Sequence, residues 1–240
     1  MPVPDVSTSS SGATKDAEDH PGVLVCSKSG DYVRHHLVQE LAGLLGPADL
    51  LVVNVATLGL GIAADSRAAT VQPPWALGPG SHEPVTAGVA FDSELLARLH
   101  QAGTRWAPVI LNTAAAGEQG RPGTEWYSVS GFTASLIAQA TAADGRVIAV
   151  GTSALRAIEA TVGTGPTVRP GRGWTNIEID FERPPKVIDA LITGLHTPGS
   201  VHRSAVAAIT SWQLLFRAYD HAAHLGHYPG HSDLLHLALP

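Results

Sequence analysis

His196 stands in the stretch ALITGLHTPGSVHRSAVAAI, between an apolar run and an alanine-rich helical pattern. Pro198 suits the first turn of a helix, and Thr197, held extended by the proline after it, suits the cap. The pattern therefore predicts a helix from near Pro198, with His196 just outside its N-terminus. Unpaired N–H groups and partial positive charge at such a terminus favour an anion and lower the pKa of a nearby imidazole. A neutral ring there can serve as base or hydrogen-bond donor. A histidine that only bonds backbone at a loop corner leaves the same trace in a sequence.

VIAVGTSALR is a second corner. Gly151 permits the turn out of a strand, Thr152 or Ser153 is placed to cap the following helix, and Arg156 lies in its first turns. Ligands of α/β sheets collect at the carboxyl ends of strands, so a carboxylate or phosphate fits here, and so does a capped helix with no ligand. The C-terminal segment HAAHLGHYPGHSDLLHL holds His221, His224, His227, His231 and His236. Its spacing is poor for a metal: Gly226 and the Tyr228-Pro229-Gly230 turn break any helix before a third ligand, and no Cys or HExxH pattern supports zinc. No metal is expected. Asp233, just past that turn, is the preferred carboxylate for a site.

The elements that must position these residues alternate. VLVCS and LLVVN (Leu50 to Asn54) read as buried strands flanking a helical HHLVQELAGLL. ELLARLHQAG reads as a helix closed by Gly103, WAPVILN and EWYSVS as strands, TASLIAQATAADG as a helix ended by Gly145, RVIAVG as a buried strand and TSALRAIEATVG as a helix. TNIEIDF alternates like a strand. Ala205, Ala208, Ile209, Trp212, Leu215, Phe216 and Tyr219 trace one apolar face of a single long helix. Arg67 to Glu83, rich in Gly and Pro, reads as a long loop or linker. Strands alternating with helices predict an α/β fold: a single main domain with a central mixed, partly parallel sheet flanked by helices.

The chain has 240 residues, of which 44% are hydrophobic, enough for one sizeable core. Its single cysteine, Cys26, allows no intrachain disulfide and is compatible with a reducing compartment. Residues 1–21 are rich in Ser, Asp and Pro without an apolar core segment, and read as a disordered tail and not as a signal peptide. No apolar run approaches the roughly 18 residues of a membrane span, so a cytoplasmic protein without a membrane partner is expected. Net charge is −6, and only Lys15, Lys28 and Lys186 are lysines, which disfavours a nucleic-acid partner.

Taken in order, several segments resemble motifs of the S-adenosylmethionine:tRNA ribosyltransferase-isomerase family of queuosine biosynthesis, from about Gly22 to the C-terminus. GPADLLVVN resembles its Gly-Asp-Leu-Leu-Val-Val-Asn strand, and EPVTAGVAFDSELLARLHQAG its Pro-Thr-Ala-Gly-Leu-His-Phe motif with the following helix. TEWYSVS resembles its Ser-Glu-Tyr-Tyr segment, and GRVIAVGTSALRAIEA its Gly-Thr-Thr-Ser-Val-Arg motif. LITGLHTPGS resembles its Asn-Phe-His-Leu-Pro motif, and HYPGHSDLL, which holds His231, its terminal Tyr-Gly-Asp segment. The resemblance implies transfer and rearrangement of the ribosyl unit of S-adenosylmethionine onto a 7-aminomethyl-7-deazaguanine base in tRNA, with release of adenine and methionine. It carries over His196, Thr152, Ser153, Arg156, Thr86, Glu125 and Asp233. With these, Asn54, Thr86, Gly151, Thr152, Ser153, Arg156 and His231 are expected as binding positions, and His196, Asp233, Glu125 and Tyr127 as the groups for hydrogen bonding and proton transfer.

The departures are chemical. The family's Asp-Thr-Arg after Asn is Val55-Ala56-Thr57, the His of its Thr-Ala-Gly motif is Ala90, its Leu-His-Val-Gly segment is LNTAAAGEQ, and its Asn before Phe-His is Gly194. About thirty residues separate Asn54 from Pro84, too few for the family's inserted β-barrel domain at usual domain sizes, so residues 64–83 are expected to stand in its place within a 22–240 α/β domain. Polar groups replaced by small or apolar ones predict a repurposed enzyme: cyclisation, isomerisation or group transfer on a small, largely apolar metabolite, as in natural-product biosynthesis, with no cofactor required. The alternative is the S-adenosylmethionine-dependent tRNA ribosyltransferase-isomerase itself, and a further one is a non-catalytic binding protein. Apolar surface left by the lost domain would suit a homodimer.

Overall fold

A computed structural model describes residues 23–27, 44–58, 78–82, 85–88, 91, 93–114, 123–224 and 234–238. In chain order the elements are β1 (Val23–Ser27), β2 (Leu50–Asn54), β3 (Ala56–Leu58), β4 (Gly78–Ser81), a 3-10 turn (Thr86–Gly88), α1 (Ser93–Gln101), β5 (Arg105–Asn112), β6 (Glu125–Val129), α2 (Gly131–Ala142), β7 (Val147–Val150), α3 (Thr152–Glu159), β8 (Gly171–Thr175), β9 (Ala190–Thr193), α4 (Val201–Ile209), α5 (Trp212–His224) and β10 (Leu234–Ala238). Eight strands form one sheet in the order β1-β10-β9-β7-β2-β5-β6-β8. The middle four, β9-β7-β2-β5, are mutually parallel, while β10 and β6 run antiparallel on either side. The expected mixed sheet flanked by helices is the one observed.

β2, β7 and β9 are buried on both faces, which is why they read as unbroken apolar runs, while β5 is buried mainly on alternate residues. Side chains alternate between the faces. Leu50, Val52, Val147, Ala149 and Leu191 pack against Ile137, Leu155, Ile158, Val206 and Leu215 from the later helices. Leu51, Val53, Ile148, Val150 and Ile192 pack against Phe91, Leu95 and Leu99 on the α1 side. Helices on both faces leave the carboxyl edge of the parallel block as the place for a ligand.

Four expectations are corrected. TNIEIDF is not a strand: β8 covers Gly171–Thr175 and its ladder with β6 ends at the pair Glu125 and Thr175. Ile177 and Ile179 are buried all the same, so the alternation recorded burial without pairing. The single long helix is two, α4 and α5, because Thr210 leaves helical geometry (φ −108°, ψ −100°) and the Ser211 hydroxyl accepts from Leu214 N at 3.1 Å. Serine competing for backbone donors ends one helix and starts the next. The cap of α4 is Ser200, accepting from Arg203 N at 3.3 Å, so Thr197 and Pro198 lie in the loop before the helix and His196 is further from its end than expected. Part of the Arg67 to Glu83 loop is ordered: β4 pairs in parallel with β3. The tail 1–21, nearly all of HHLVQELAGLL, and most of 64–83 lie outside the described residues.

At the opposite, amino edge of the sheet Asp49 ties β2 to the entry of β7. Its carboxylate accepts from Gly46 N and Arg146 N, each at 2.8 Å, and pairs with the Arg146 guanidinium at 2.5 Å. Burial alone would raise its pKa, but the hydrogen bonds from the Arg146 side chain, Gly46 and Arg146 backbone, with the Arg146 charge, hold it below the usual carboxylate value. The folded state therefore binds this proton less readily than the unfolded chain. Its contribution is complete above the unfolded value near pH 4 and is lost as pH falls through the folded one. Asp49→Asn is expected to cost about 2 kcal/mol at neutral pH and to flatten the acid limb of stability measured by urea unfolding, Arg146 being partly exposed.

Candidate functional site

The helix after β7, α3, packs on one face of the sheet and α1, which precedes β5, on the other, so the order β9-β7-β2-β5 reverses between β7 and β2, the point in such a sheet where a ligand is expected at the carboxyl ends. Asn54 ends β2 and Gly151 follows β7. Gly151 takes φ +89°, ψ 148°, a conformation that strains any residue with a Cβ, and it occupies the N-cap of α3 without a side-chain cap. Thr152 and Ser153, expected as caps, lie inside the first turn, and Thr152 spends its hydroxyl elsewhere. The turn carrying Thr86 presses on this corner: a Cβ on Gly151 would stand 3.4 Å from Ala87 Cβ and 3.8 Å from Val85 Cγ1.

Glu125 begins β6, and because β6 is antiparallel its first residue lies at the same carboxyl edge. Arg156 projects from α3 to meet it: Nη1 lies 2.5 Å from Glu125 Oε2, with both side chains buried. Glu125 Oε1 accepts from Ala114 N at 3.1 Å, and Arg156 Nε donates to the Ile177 carbonyl at 2.9 Å. Arg156 Nη2 is buried with no hydrogen-bond partner among the described residues. Burial lowers the Arg156 pKa below its ordinary value, while the charges of Glu125 and Glu178 and the hydrogen bond it donates to Glu125 work the other way. The pair thus brings a fixed cation, with one unspent donor, to the sheet edge.

The third group is imidazole. His196 follows β9 and its Nε2 lies 2.8 Å from Thr193 Oγ1, while its backbone N–H donates to the Tyr219 hydroxyl at 2.7 Å. Its ring stacks on that of His202, centroids 5.0 Å apart at 28°. His202, in the first turn of α4, holds Nδ1 2.9 Å from Thr152 Oγ1. Burial and the nearby Arg156 charge push the His202 pKa below the ordinary histidine value, keeping the ring neutral. Arg203 braces the assembly with its guanidinium 4.2 Å from the Tyr219 ring centroid.

The structure therefore brings together Thr152, Arg156, Glu125 and His196, and adds His202, which sequence reasoning missed. His202 sits six residues after His196 in the same stretch, hidden inside an alanine-rich helical pattern. Two expected residues are placed differently. The Asn54 amide is committed to the sheet: Oδ1 accepts from Ala56 N at 3.1 Å and Leu111 N at 3.0 Å, and Nδ2 donates to Leu111 O at 2.9 Å. The Tyr127 ring lies over Gly171 and Gly173 of β8; positions for a Cβ on them stand 3.9 and 3.8 Å from its hydroxyl, and Gly171 pairs with Val129, toward the end of β6 away from Glu125. Ser153 is buried in the corner. Asp233 and His231 lie outside the described residues. Among the described residues no group of three His, Cys, Asp or Glu side chains could hold a metal, and no helix is long and apolar enough to cross a membrane.

A three-layer α/β sheet with a buried guanidinium and two stacked imidazoles at its carboxyl edge fits a small-molecule-binding or enzyme class of site. The chain belongs to the family described as queuosine biosynthesis protein, whose pattern it matches over residues 62–228. It is 36% identical over 157 residues to the S-adenosylmethionine:tRNA ribosyltransferase-isomerase of Cupriavidus metallidurans, covering 62% of this chain and 44% of that one. It is 40% identical over 152 residues to the protein of that name in Deinococcus radiodurans, covering 60% and 42%. The chain thus spans somewhat under half the length of these curated relatives. The crystal structure of the S-adenosylmethionine tRNA ribosyltransferase of Thermotoga maritima has the same fold, with a TM-score of 0.61 over 82% of this chain and 84% of that one at 22% identity. The relatives' names include tRNA, against the expectation drawn from net charge.

Proposed function

We propose that the chain is a transferase-isomerase that binds S-adenosylmethionine in the crevice between β7 and β2 and transfers its ribosyl unit to a deazaguanine base in tRNA. The observation that carries this reading is the family match over residues 62–228, which encloses the corner from Gly151 to Arg156 and the loop bearing His196. In this reading Gly151, Thr152, Ser153 and Thr86 shape the cradle and Asn54 holds its floor. Arg156, fixed by Glu125, offers a cation to the carboxylate of the methionine portion, and His196 lines the wall; Asp233 and His231, outside the described residues, are the further groups assigned to the site in this reading. S-adenosylmethionine is a substrate here, so no further cofactor is invoked. Residues 22–240 form the α/β unit, with 64–83 in place of an inserted domain.

Calorimetric titration with S-adenosylmethionine tests the reading. Micromolar affinity, roughly −8 kcal/mol, is expected, followed by adenine release when tRNA bearing 7-aminomethyl-7-deazaguanine is added. Absence of both binding heat and adenine release would overturn it.

One observation favours a second reading, an enzyme cyclising or isomerising a small apolar metabolite. Val55 and Thr57 stand just after Asn54 where the family resemblance places an Asp and an Arg, and the chain is net acidic. Stabilisation by a small apolar ligand, without response to S-adenosylmethionine, would select it.

A further inference from the structure

We propose that His202 is the catalytic acid–base group of this site: Thr152 Oγ1 fixes its ring through Nδ1, and Nε2 takes a proton from bound substrate and returns it. The proposal rests on the preceding reading for its substrate and on geometry for the residue. Of the two stacked imidazoles, His196 has its Nε2 on Thr193 and its backbone on Tyr219, so it is held as a wall. His202 makes one hydrogen bond, at Nδ1, and Nε2 makes none among the described residues. A ring anchored at one nitrogen and unspent at the other is the arrangement a proton carrier needs.

The proton balance is simple. With the ring neutral and Nδ1–H donating to Thr152 Oγ1, the Nε2 lone pair accepts a substrate proton. The electron pair of the broken bond stays on the substrate, and the ring becomes imidazolium until it hands the proton to product or leaving group. The groups facing His202 set this poise: Thr152 and Arg156 from α3, His196 from the loop after β9, and Arg203 and Tyr219 behind that histidine. The Arg156 charge favours return of the proton, since an imidazolium beside it is destabilised.

The first measurement is nitrogen-15 NMR of the imidazole rings in the ligand-free full chain, with His202→Asn assigning the resonance. The expected result is a ring neutral at neutral pH, protonated on Nδ1, titrating below the ordinary value of about 6.5. A ring protonated on Nε2, or an imidazolium at neutral pH, would overturn the proposal whatever the substrate is. The second is adenine release from S-adenosylmethionine. His202→Asn, which can keep the bond to Thr152, is expected to slow release at least about 100-fold with affinity for S-adenosylmethionine changed less than about threefold. Thr152→Ser should retain the rate and Thr152→Val should not. Wild-type release in His202→Asn also overturns the proposal. Absence of S-adenosylmethionine binding by the wild type instead strikes the transferase reading, and the tautomer then decides on His202 alone.

Discussion

Glu125→Ala is expected to destabilise the protein by about 3–5 kcal/mol, because it leaves the Arg156 guanidinium buried without its carboxylate. The two side chains lie 2.5 Å apart and both are almost wholly removed from water, so solvent cannot take over the missing charge. The lost carboxylate also strands Ala114 N. Glu125→Leu combined with Arg156→Met, which removes both charges and keeps the volume, should recover most of that stability, since a buried pair gains little over well-packed apolar side chains. A urea-unfolding cycle of the two single variants and the double variant measures the coupling. A loss below about 1 kcal/mol in Glu125→Ala would mean that water reaches Arg156 and that the pair is not the dry anchor described here. Arg156→Met has a second readout. Removing the charge that disfavours the His202 imidazolium raises the His202 pKa toward, but not to, its ordinary value, since burial remains the larger cause. The cost to the fold and the shift at His202 would together tie the ion pair to proton transfer and not to stability alone.

Three of the four parallel strands, β2, β5 and β7, and the turn at Gly151 were legible in the sequence as apolar runs between helical patterns, whereas β9 reads only as an apolar run because its four residues are too few to show a period. The helix ends were less so. Thr197 and Ser200 offer competing caps three residues apart, and Ser200 wins because its hydroxyl reaches Arg203 N while Gly199 supplies the positive φ before it. Ile177 and Ile179 show the limit of alternation, which reports which residues point inward and is silent on whether a neighbouring strand is there to pair. At the site, His196, Thr152 and Arg156 were singled out from their corners and Glu125 from the family resemblance, whereas His202 was not singled out. Its meaning depends on Thr152, fifty residues earlier, and on a ring stack, and neither contact leaves a local pattern. Tyr127 shares the face of Glu125 by strand alternation, while the glycines of β8 give its ring a resting place further along.

Glu159→Ala is expected to cost as much as the loss of Glu125, for a reason invisible in any single strand or helix. Glu159 is the last residue of α3, where the helix dipole disfavours a negative charge, so helix formation does not account for it. The loop ahead of β9 does. Glu159 Oε1 accepts from Lys186 N at 3.1 Å, Val187 N at 3.0 Å and Ile188 N at 3.2 Å, and Oε2 accepts from Lys186 N at 3.0 Å. Three backbone donors, two of them on buried residues, have one carboxylate for an acceptor. Leaving each unmet costs about 1–3 kcal/mol before relaxation, and water entering the space vacated recovers part, so about 3–5 kcal/mol is expected in urea unfolding. Glu159→Gln keeps one acceptor oxygen and should fall between alanine and wild type. Amide exchange at Val187 and Ile188 should accelerate in the same order. Because this loop feeds β9, and β9 ends at Thr193 just before His196, slack there reaches the imidazole stack. Loosening the clamp should therefore broaden the His196 and His202 ring resonances even where the protein remains folded. Unchanged ring resonances in a folded but destabilised Glu159→Ala would show that the loop and the site are mechanically independent.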